Sequence, residues 1–240
     1  LQLVSEGRSW QNLLAVYRAT GEQHYLDEAK LKAEDYIKNR IDTVNRLGVV
    51  GERKVIAMNF AALDSRLLLE DRSGSNALAI KIAGHYGAGK SHTLTKCLEL
   101  YPASEYHLMS AGSAKSLYYL DGGLKHKALI ATEAFQFQSK KGADSEIAYI
   151  VRSLLSEGSV RYQVTENING EGRRTVEKRI DGPTSFITTT IMDKLERQLE
   201  DRLFTVHPDE SSDQTMDIIG MTARLKDGSF NDVDTNSKQA

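Results

Sequence analysis

One cysteine, Cys97, in 240 residues excludes an internal disulfide framework and a zinc knuckle. No apolar run approaches the ~20 residues that span a bilayer. No charged segment followed by an apolar one opens the chain as a secretory signal would. A cytoplasmic location with no membrane partner is therefore the expectation. A global excess of positive charge is also missing, since the net charge is −2. Any nucleic-acid contact must come from local patches. There is no internal repeat and no low-complexity tract. The chain starts at Leu1, without Met, and ends in the polar run Asn231 to Ala240, which we read as a fragment of a longer protein. What remains, 40% hydrophobic and 27% charged residues, is the composition of one large globular domain with some helical extension.

Within that ordinary composition lies Gly84-His85-Tyr86-Gly87-Ala88-Gly89-Lys90-Ser91, an unbroken G-x-x-x-x-G-K-[ST] loop. It follows the apolar run Ala77 to Ala83 and precedes a helical pattern from Ser91 to Leu100. That strand–loop–helix setting turns a pattern match into a candidate phosphate site. Glycines let the backbone curl so that several N–H groups face the phosphates, and the positive end of the following helix adds to the field. We expect Gly84, Gly87, Ala88, Gly89, Lys90, Ser91 and His92 to line the nucleotide. Lys90 should reach the β- and γ-phosphates, and the Ser91 hydroxyl should ligate Mg²⁺. Cys97 should pack on the inner face of the helix beneath this loop.

Helical periodicity marks residues 9–19 and 22–47, separated by Gly21. In the second segment Leu26, Ala29, Ala33, Ile37, Ile41 and Val44 recur at three- and four-residue steps. Residues 52–70 make another helix, with Val55, Ile56, Met58, Phe60, Leu63 and Leu67 on its apolar face, and 71–76 a loop. Short apolar runs then alternate with helices. The runs are 77–83, 106–109, 128–132, 185–190 and 203–206; the helices are 91–100, 144–157 and 193–201. Repeated β–α units imply a parallel sheet covered by helices. One segment breaks the rhythm: 159–166 and 174–180 both alternate, with Asn169-Gly170 between them, which predicts a hairpin.

Two further elements bear on chemistry. The run Lys127 to Glu133 lies about 40 residues past the phosphate loop and ends in an acid, the usual partner of such a loop. Glu133 fits the base that polarises an attacking water, with Mg²⁺ nearby, and is a candidate metal ligand with Ser91. The preceding position, where an aspartate normally supports the metal, is Thr132. The run Ser185 to Thr190 is β-branched; Thr189 and Thr190 are candidates to orient the lytic water, while Thr188 reads as plain strand. Glu196, Arg197, Glu200 and Arg202 read either as a solvated helix face with i,i+4 pairs or as the setting for an arginine finger. Arg202 sits where a helix gives way to the last strand, a position from which it can reach a neighbouring subunit's γ-phosphate.

Taken in order, phosphate loop, acidic strand end, inserted hairpin, Thr-rich strand and Leu199-Glu200-Asp201-Arg202-Leu203-Phe204 resemble the AAA+ ATPases. The hairpin just before the Thr-rich strand resembles the presensor-1 insertion clade, which includes minichromosome-maintenance-type helicases. Val50-Gly51-Glu52, the helix end Ser65-Arg66-Leu67, Leu124 to Lys127, Leu154 to Gly158 and Gly182-Pro183 ahead of Thr188 to Thr190 resemble the helicase-like module of phage and mobile-element primase–helicase proteins. The resemblance covers roughly residues 48–210 and departs from the family at Thr132. It implies a P-loop core over 48–210 with a five-stranded parallel sheet and a hairpin at about 159–181, an N-terminal helical extension over 1–47, and a C-terminal helix, part of a lid, with a polar tail over 211–240. It implies that Val49, Val50 and Gly51 flank adenine, that Thr190 is the polar sensor, and that Arg202 is a finger supplied in trans. It further implies that Arg173, Arg174 and Lys178 on the hairpin hold single-stranded DNA in the pore of a homo-oligomeric ring, expected as a hexamer, and that a primase region belongs to the same polypeptide. A hairpin tip with Arg173, Arg174 and polar Asn167 and Asn169 suits phosphate contact without sequence readout.

The leading expectation is thus an ATP-hydrolysing ring motor on DNA, a replicative-type helicase module using ATP and Mg²⁺. The alternatives are an ATP-switched loader or initiator, and a nucleotide-binding assembly module with little hydrolysis, which Thr132 permits.

Overall fold

A computed structural model describes residues 10–67, 77–109, 114–132, 146–168, 172–191 and 195–226. Its sheet is built from the apolar runs. Strands β1 (Ala79–Ala83), β2 (Tyr106–Met109), β3 (Lys127–Ala131), β6 (Thr184–Thr190) and β7 (Phe204–Val206) lie in the order β2-β3-β6-β1-β7, all parallel. Between β3 and β6 in sequence, β4 (Ser159–Ile168) and β5 (Gly172–Asp181) form a separate antiparallel hairpin. The α/β core with a five-stranded parallel sheet and an inserted hairpin is therefore present. Continuous rather than alternating apolar runs are what a parallel sheet buried on both faces requires.

Neighbouring residues on one strand go to opposite cores. Ile80, Ile82, Ala128, Ile130 and Ile187 face α3 (Arg53–Ser65) and α4 (Lys90–Leu98), with Ile41 and Val44 of α2 (Gln23–Arg46) packed into the same cluster. Ala79, Leu129, Ala131 and Phe186 face the other way, onto α5 (Glu146–Glu157), Leu199 of α6 (Arg197–Glu200) and the hairpin base at Val160 and Ile180. Helix α1 (Trp10–Thr20) packs on α2, with Gly21 at φ +73 between them. Helix α2 is joined to the layer beneath by Asp64, which accepts hydrogen bonds from Tyr36 (2.9 Å) and Tyr101 (2.7 Å). The Arg40 guanidinium lies 4.9 to 5.2 Å from the ring centres of Tyr36, Phe60 and Tyr101, a cation–π cluster. Burial and the Asp64 charge push the Tyr36 hydroxyl up to about 12.

Two expectations need correcting in detail. The helix expected over 52–70 ends at Ser65; Leu67 is 55% exposed, while Asn59, polar and outside the expected apolar face, is fully buried. The helix expected over 193–201 is, among the described residues, only Arg197–Glu200, because Glu196 stops being a helical residue and becomes its cap, accepting from the N–H groups of Gln198 and Leu199, both at 3.0 Å. The reading as a solvated face with i,i+4 pairs thus fails for the two acids, while Arg197 and Arg202 are exposed. Glu196 is buried against Arg152 of α5, and Glu200 pairs with Lys81, a buried lysine in the middle of β1. A charge inside a sheet core is tolerated only when paired.

Ile187 sits at the centre of β6 with no exposure. Ile187→Ala should cost about 2 to 5 kcal/mol by lost transfer energy and the cavity left. Urea unfolding should show a lower midpoint with an unchanged slope.

Candidate nucleotide site

The strands of a parallel sheet end together, and the crevice beyond their carboxyl ends is the common place for a ligand. Here β1 ends at Ala83, beside Thr190 at the end of β6, and the Gly84 N–H donates to the Thr190 carbonyl (3.2 Å). The loop then rises through Tyr86, which is 92% exposed, and drops into α4. Gly87 and Gly89 have φ values of +84 and +73, with nothing near the place a Cβ would occupy. Backbone conformation, not space, requires glycine there. Gly84 differs: a Cβ would lie 2.6 Å from Glu210 Oε1 and 3.1 Å from Pro208 Cδ.

Lys90 is buried and folds back over its own loop, its ammonium donating to the carbonyls of Gly84 (2.9 Å) and His85 (2.6 Å). Desolvation lowers its pKa, opposed by the Glu210 charge. Ser91 and His92 are exposed on the first turn of α4. Cys97 is buried on the inner face of the same helix, and burial pushes its thiol up to about 12. The hydroxyl of Thr188 donates to the Ala131 carbonyl (2.9 Å), which accounts for it as part of the strand pairing. Thr190, buried, is the threonine adjoining the phosphate loop. β3 ends at Ala131 on the same side of the sheet. Thr132 is exposed and lines a cavity of about 330 Å³ with Leu94, Leu98, Tyr106, Met109 and Ile130. Glu133 lies outside the described residues.

A segment absent from the expectations completes the site. After β7 the chain runs back across the loop as a strap. The His207 ring contacts the Ala83 carbonyl (2.9 Å), and Glu210 accepts from the His85 N–H (2.7 Å) and pairs with the His85 ring. The Asp209 N–H donates to Glu52 (3.2 Å), at the start of α3. Gln214, in α7 (Ser212–Lys226), donates to the Val50 carbonyl (2.6 Å). The strap thus joins the phosphate loop to the turn at Val49, Val50 and Gly51. Burial raises the Glu52 pKa, and the charges of Asp209 and Glu210 add to that. Nothing in His207 to Ser211, read locally, separates this strap from a solvated turn.

Arg202 lies at the other end of the sheet. Phe204 is opposite Ile80, so Arg202 stands about five residues below the end of β1, on the order of 15 Å at ~3.3 Å per residue. Its guanidinium donates to Ser156 Oγ of α5 (2.6 Å) and to the Gln198 carbonyl. On the hairpin, Lys178 lies over the Tyr119 ring, 5.0 Å from its centre. Arg161 pairs with Glu177 (3.8 Å) and Arg179 with Asp181 (2.6 Å). The backbone register sets Arg173 opposite Asn167 and Arg174 opposite Glu166, next to the turn. The side chains of Arg173 and Arg174, together with Asn169, Gly170, Lys140 and Lys141, lie outside the described residues. Among the described residues no three His, Cys, Asp or Glu side chains gather as a metal cage, and no helix is long and apolar enough to cross a membrane.

Comparison with known families agrees with this geometry. A family model, the MTBMA_p00010 P-loop domain, matches residues 24–238. The chain belongs to this P-loop domain family. The matched region starts within α2 and takes in the whole sheet, the hairpin, the strap and α7. No curated protein matches the sequence.

The His85 ring and N–H hold the Glu210 carboxyl below the ordinary carboxylate range. A depressed acid stabilises the fold above its unfolded value, and that contribution is lost as pH falls through the folded value. Glu210→Gln should therefore lower the melting temperature at about pH 7, with the gap to wild type closing in acid. A gap that persists at about pH 2 would show that the charge does not matter.

Proposed function

We propose that this P-loop domain binds and hydrolyses ATP with Mg²⁺, and that it works as an AAA+-type ring motor on DNA. The observation that carries the nucleotide reading is the complete loop between β1 and α4, with Lys90 folded into it and Thr190 beside its first residue. Gly84, Gly87, Ala88, Gly89, Lys90, Ser91 and His92 hold the phosphates. Val49, Val50 and Gly51 flank the base. Ser91 would hold the metal: an exposed hydroxyl on the first turn of the helix suits Mg²⁺, which usually takes one or two protein ligands and completes its shell with water and phosphate oxygens. When bound, the ion neutralises charge developing on the phosphates. Lys90 then exchanges its two carbonyl partners for phosphate oxygens. Glu133 activates water and Thr190 orients it.

The position of Arg202 supports assembly. Lying about 15 Å from the end of β1, at ~3.3 Å per residue, and anchored to α5 by Ser156, it is poorly placed for its own phosphate loop, which supports a role toward a neighbour's. The hairpin supports a polymer substrate. Strands of ten residues reach on the order of 30 Å at ~3.4 Å each, while Val160 and Ile180 root the base in the core. Arg173 and Arg174 next to the turn suit contact with DNA phosphates in a ring of copies. A second reading, a nucleotide-switched assembly module with little hydrolysis, is favoured by Thr132 where an acid normally supports the metal.

Lys90→Ala should abolish ATP binding and turnover while far-UV circular dichroism stays that of wild type. A folded Lys90→Ala chain with wild-type turnover would remove the phosphate assignment.

Arg202→Ala should bind ATP yet hydrolyse it ~10³-fold or more slowly, and mixing it with Glu133→Gln chains should restore part of the activity, because a mixed interface pairs an intact Glu133 with an intact Arg202. Mixed oligomers that form and never complement would leave the assembly module standing instead. The double change Arg173→Ala with Arg174→Ala should spare basal turnover, weaken single-stranded DNA binding and flatten its salt dependence.

A further inference from the structure

The turn at residues 49–51 is held in an unusual way. Its three successive carbonyl oxygens are taken by two side-chain amides, one from α2 and one from α7. Gln214 Nε2 donates to Val50 at 2.6 Å. The Asn45 amide, in the orientation that satisfies its neighbours, donates to Val49 and to Gly51, both at 3.1 Å. Gly51 stands at φ +63, and a Cβ there would lie 2.6 Å from Gln214 Oε1. The backbone conformation demands glycine, and a Cβ there would push the Gln214 amide aside. Gln214 is 7% exposed, and it is the one buried side chain among the described residues of α7. Met216, Ile218 and Ile219 of the same helix are 46 to 66% exposed. The attachment of α7 to this end of the molecule therefore runs through Gln214 and the strap that precedes it.

Fixing three consecutive carbonyls fixes the peptide planes between them, and so the direction of the N–H groups on the same turn. A buried carbonyl deprived of its donor must find another or rotate. We propose that Gln214, assisted by Asn45, is a positioning residue for the base of the bound nucleotide: it sets the geometry of residues 49–51 from helix α7 and acts on base-bearing ligands without touching the phosphates. This rests on the reading that 49–51 flanks the base. It makes α7 a partner of the base rather than of the phosphate loop, whose tie to the strap runs through Glu210 and His85.

The contrast between ATP and inorganic tripolyphosphate, each with Mg²⁺, tests this on the full chain by titration calorimetry. Gln214→Met keeps the side-chain length and removes the donor. It should weaken ATP binding about tenfold or more while tripolyphosphate binds within about twofold of wild type. Gln214→Leu also removes the donor, adds no charge, and supplies the same contrast should the Met variant not fold. ATP affinity unchanged in the folded variants, or ATP and tripolyphosphate weakened in equal measure, would overturn the proposal, since a merely structural glutamine moves both ligands together. A wild-type chain that binds neither ligand would instead overturn the nucleotide reading itself, and this proposal with it.

Discussion

A central strand buried on both faces fixes this molecule. β1 has no exposed residue, and parallel strands flank it on either side. It pairs with β6 from Ala79 to Ala83, where β6 also stops, and with β7 from Ile80 to Ile82. Beyond that point the amides have no ladder to join. One, from Gly84, still reaches Thr190, and the next, from His85, is taken by a carboxylate from the strap. The loop that follows therefore opens outward with its amides uncommitted by the sheet, over the start of α4, which is the physical setting for an anion. Moving that end point by one residue would turn the strand's side chains to the wrong cores.

The same strand reaches the far end of the sheet through a buried charge. Lys81 has to be paired because it lies inside the core, and Glu200 of α6 supplies the charge. Glu196 caps that short helix, and Arg152 holds Glu196 and Gln198 from α5. Arg202 follows immediately, gripped by Ser156. A four-residue helix has little stability of its own, so its position depends on these ties. If Arg202 meets a partner's phosphate as proposed, being held in advance favours the contact, since less freedom is lost when it forms.

What was legible in the sequence was local. Glycines, Lys90 and Ser91 fall within eight residues, so the loop announced itself. The strands announced themselves as apolar runs because a doubly covered sheet leaves no alternation, and the hairpin stood out because it does alternate. Contacts between residues far apart in the chain were not legible. Lys81 with Glu200, Glu210 with His85 and Gln214 with Val50 join residues 119, 125 and 164 positions apart, and no spacing rule connects them. Glu196 and Glu200 looked like a helix-surface charge pattern because i,i+4 periodicity scores composition alone; burial of Lys81 and Arg152 gave both acids other partners. The apolar period over 52–70 outruns the helix, which ends at Ser65, for a related reason. Leu67 fits the apolar period, yet the chain leaves the helix before it, and buried Asn59 carries no apolar signal at all.

On the proposed reading, phosphate chemistry and polymer handling would be separable properties, resting on different parts of the chain. The loop, α4 and Thr190 are shaped by the sheet and would serve any P-loop protein. What would turn nucleotide binding into work on a strand are the elements at its margins: the hairpin rooted at Val160 and Ile180, and Arg202 behind α6. Both connect to α5, the hairpin through its base and Arg202 through Ser156. On the proposed reading, a change at a neighbour's phosphate would have a packed route through Arg202 and α5, one helix long, to the base of the hairpin. The strap and α7 form the other margin, touching the phosphate loop through Glu210 and the turn at residues 49–51 through Gln214. A chain with a net charge of −2 has no general affinity for nucleic acid, so contact with DNA would have to be concentrated by bringing several hairpin tips together. Assembly and DNA binding then stand or fall together, whereas nucleotide binding needs neither.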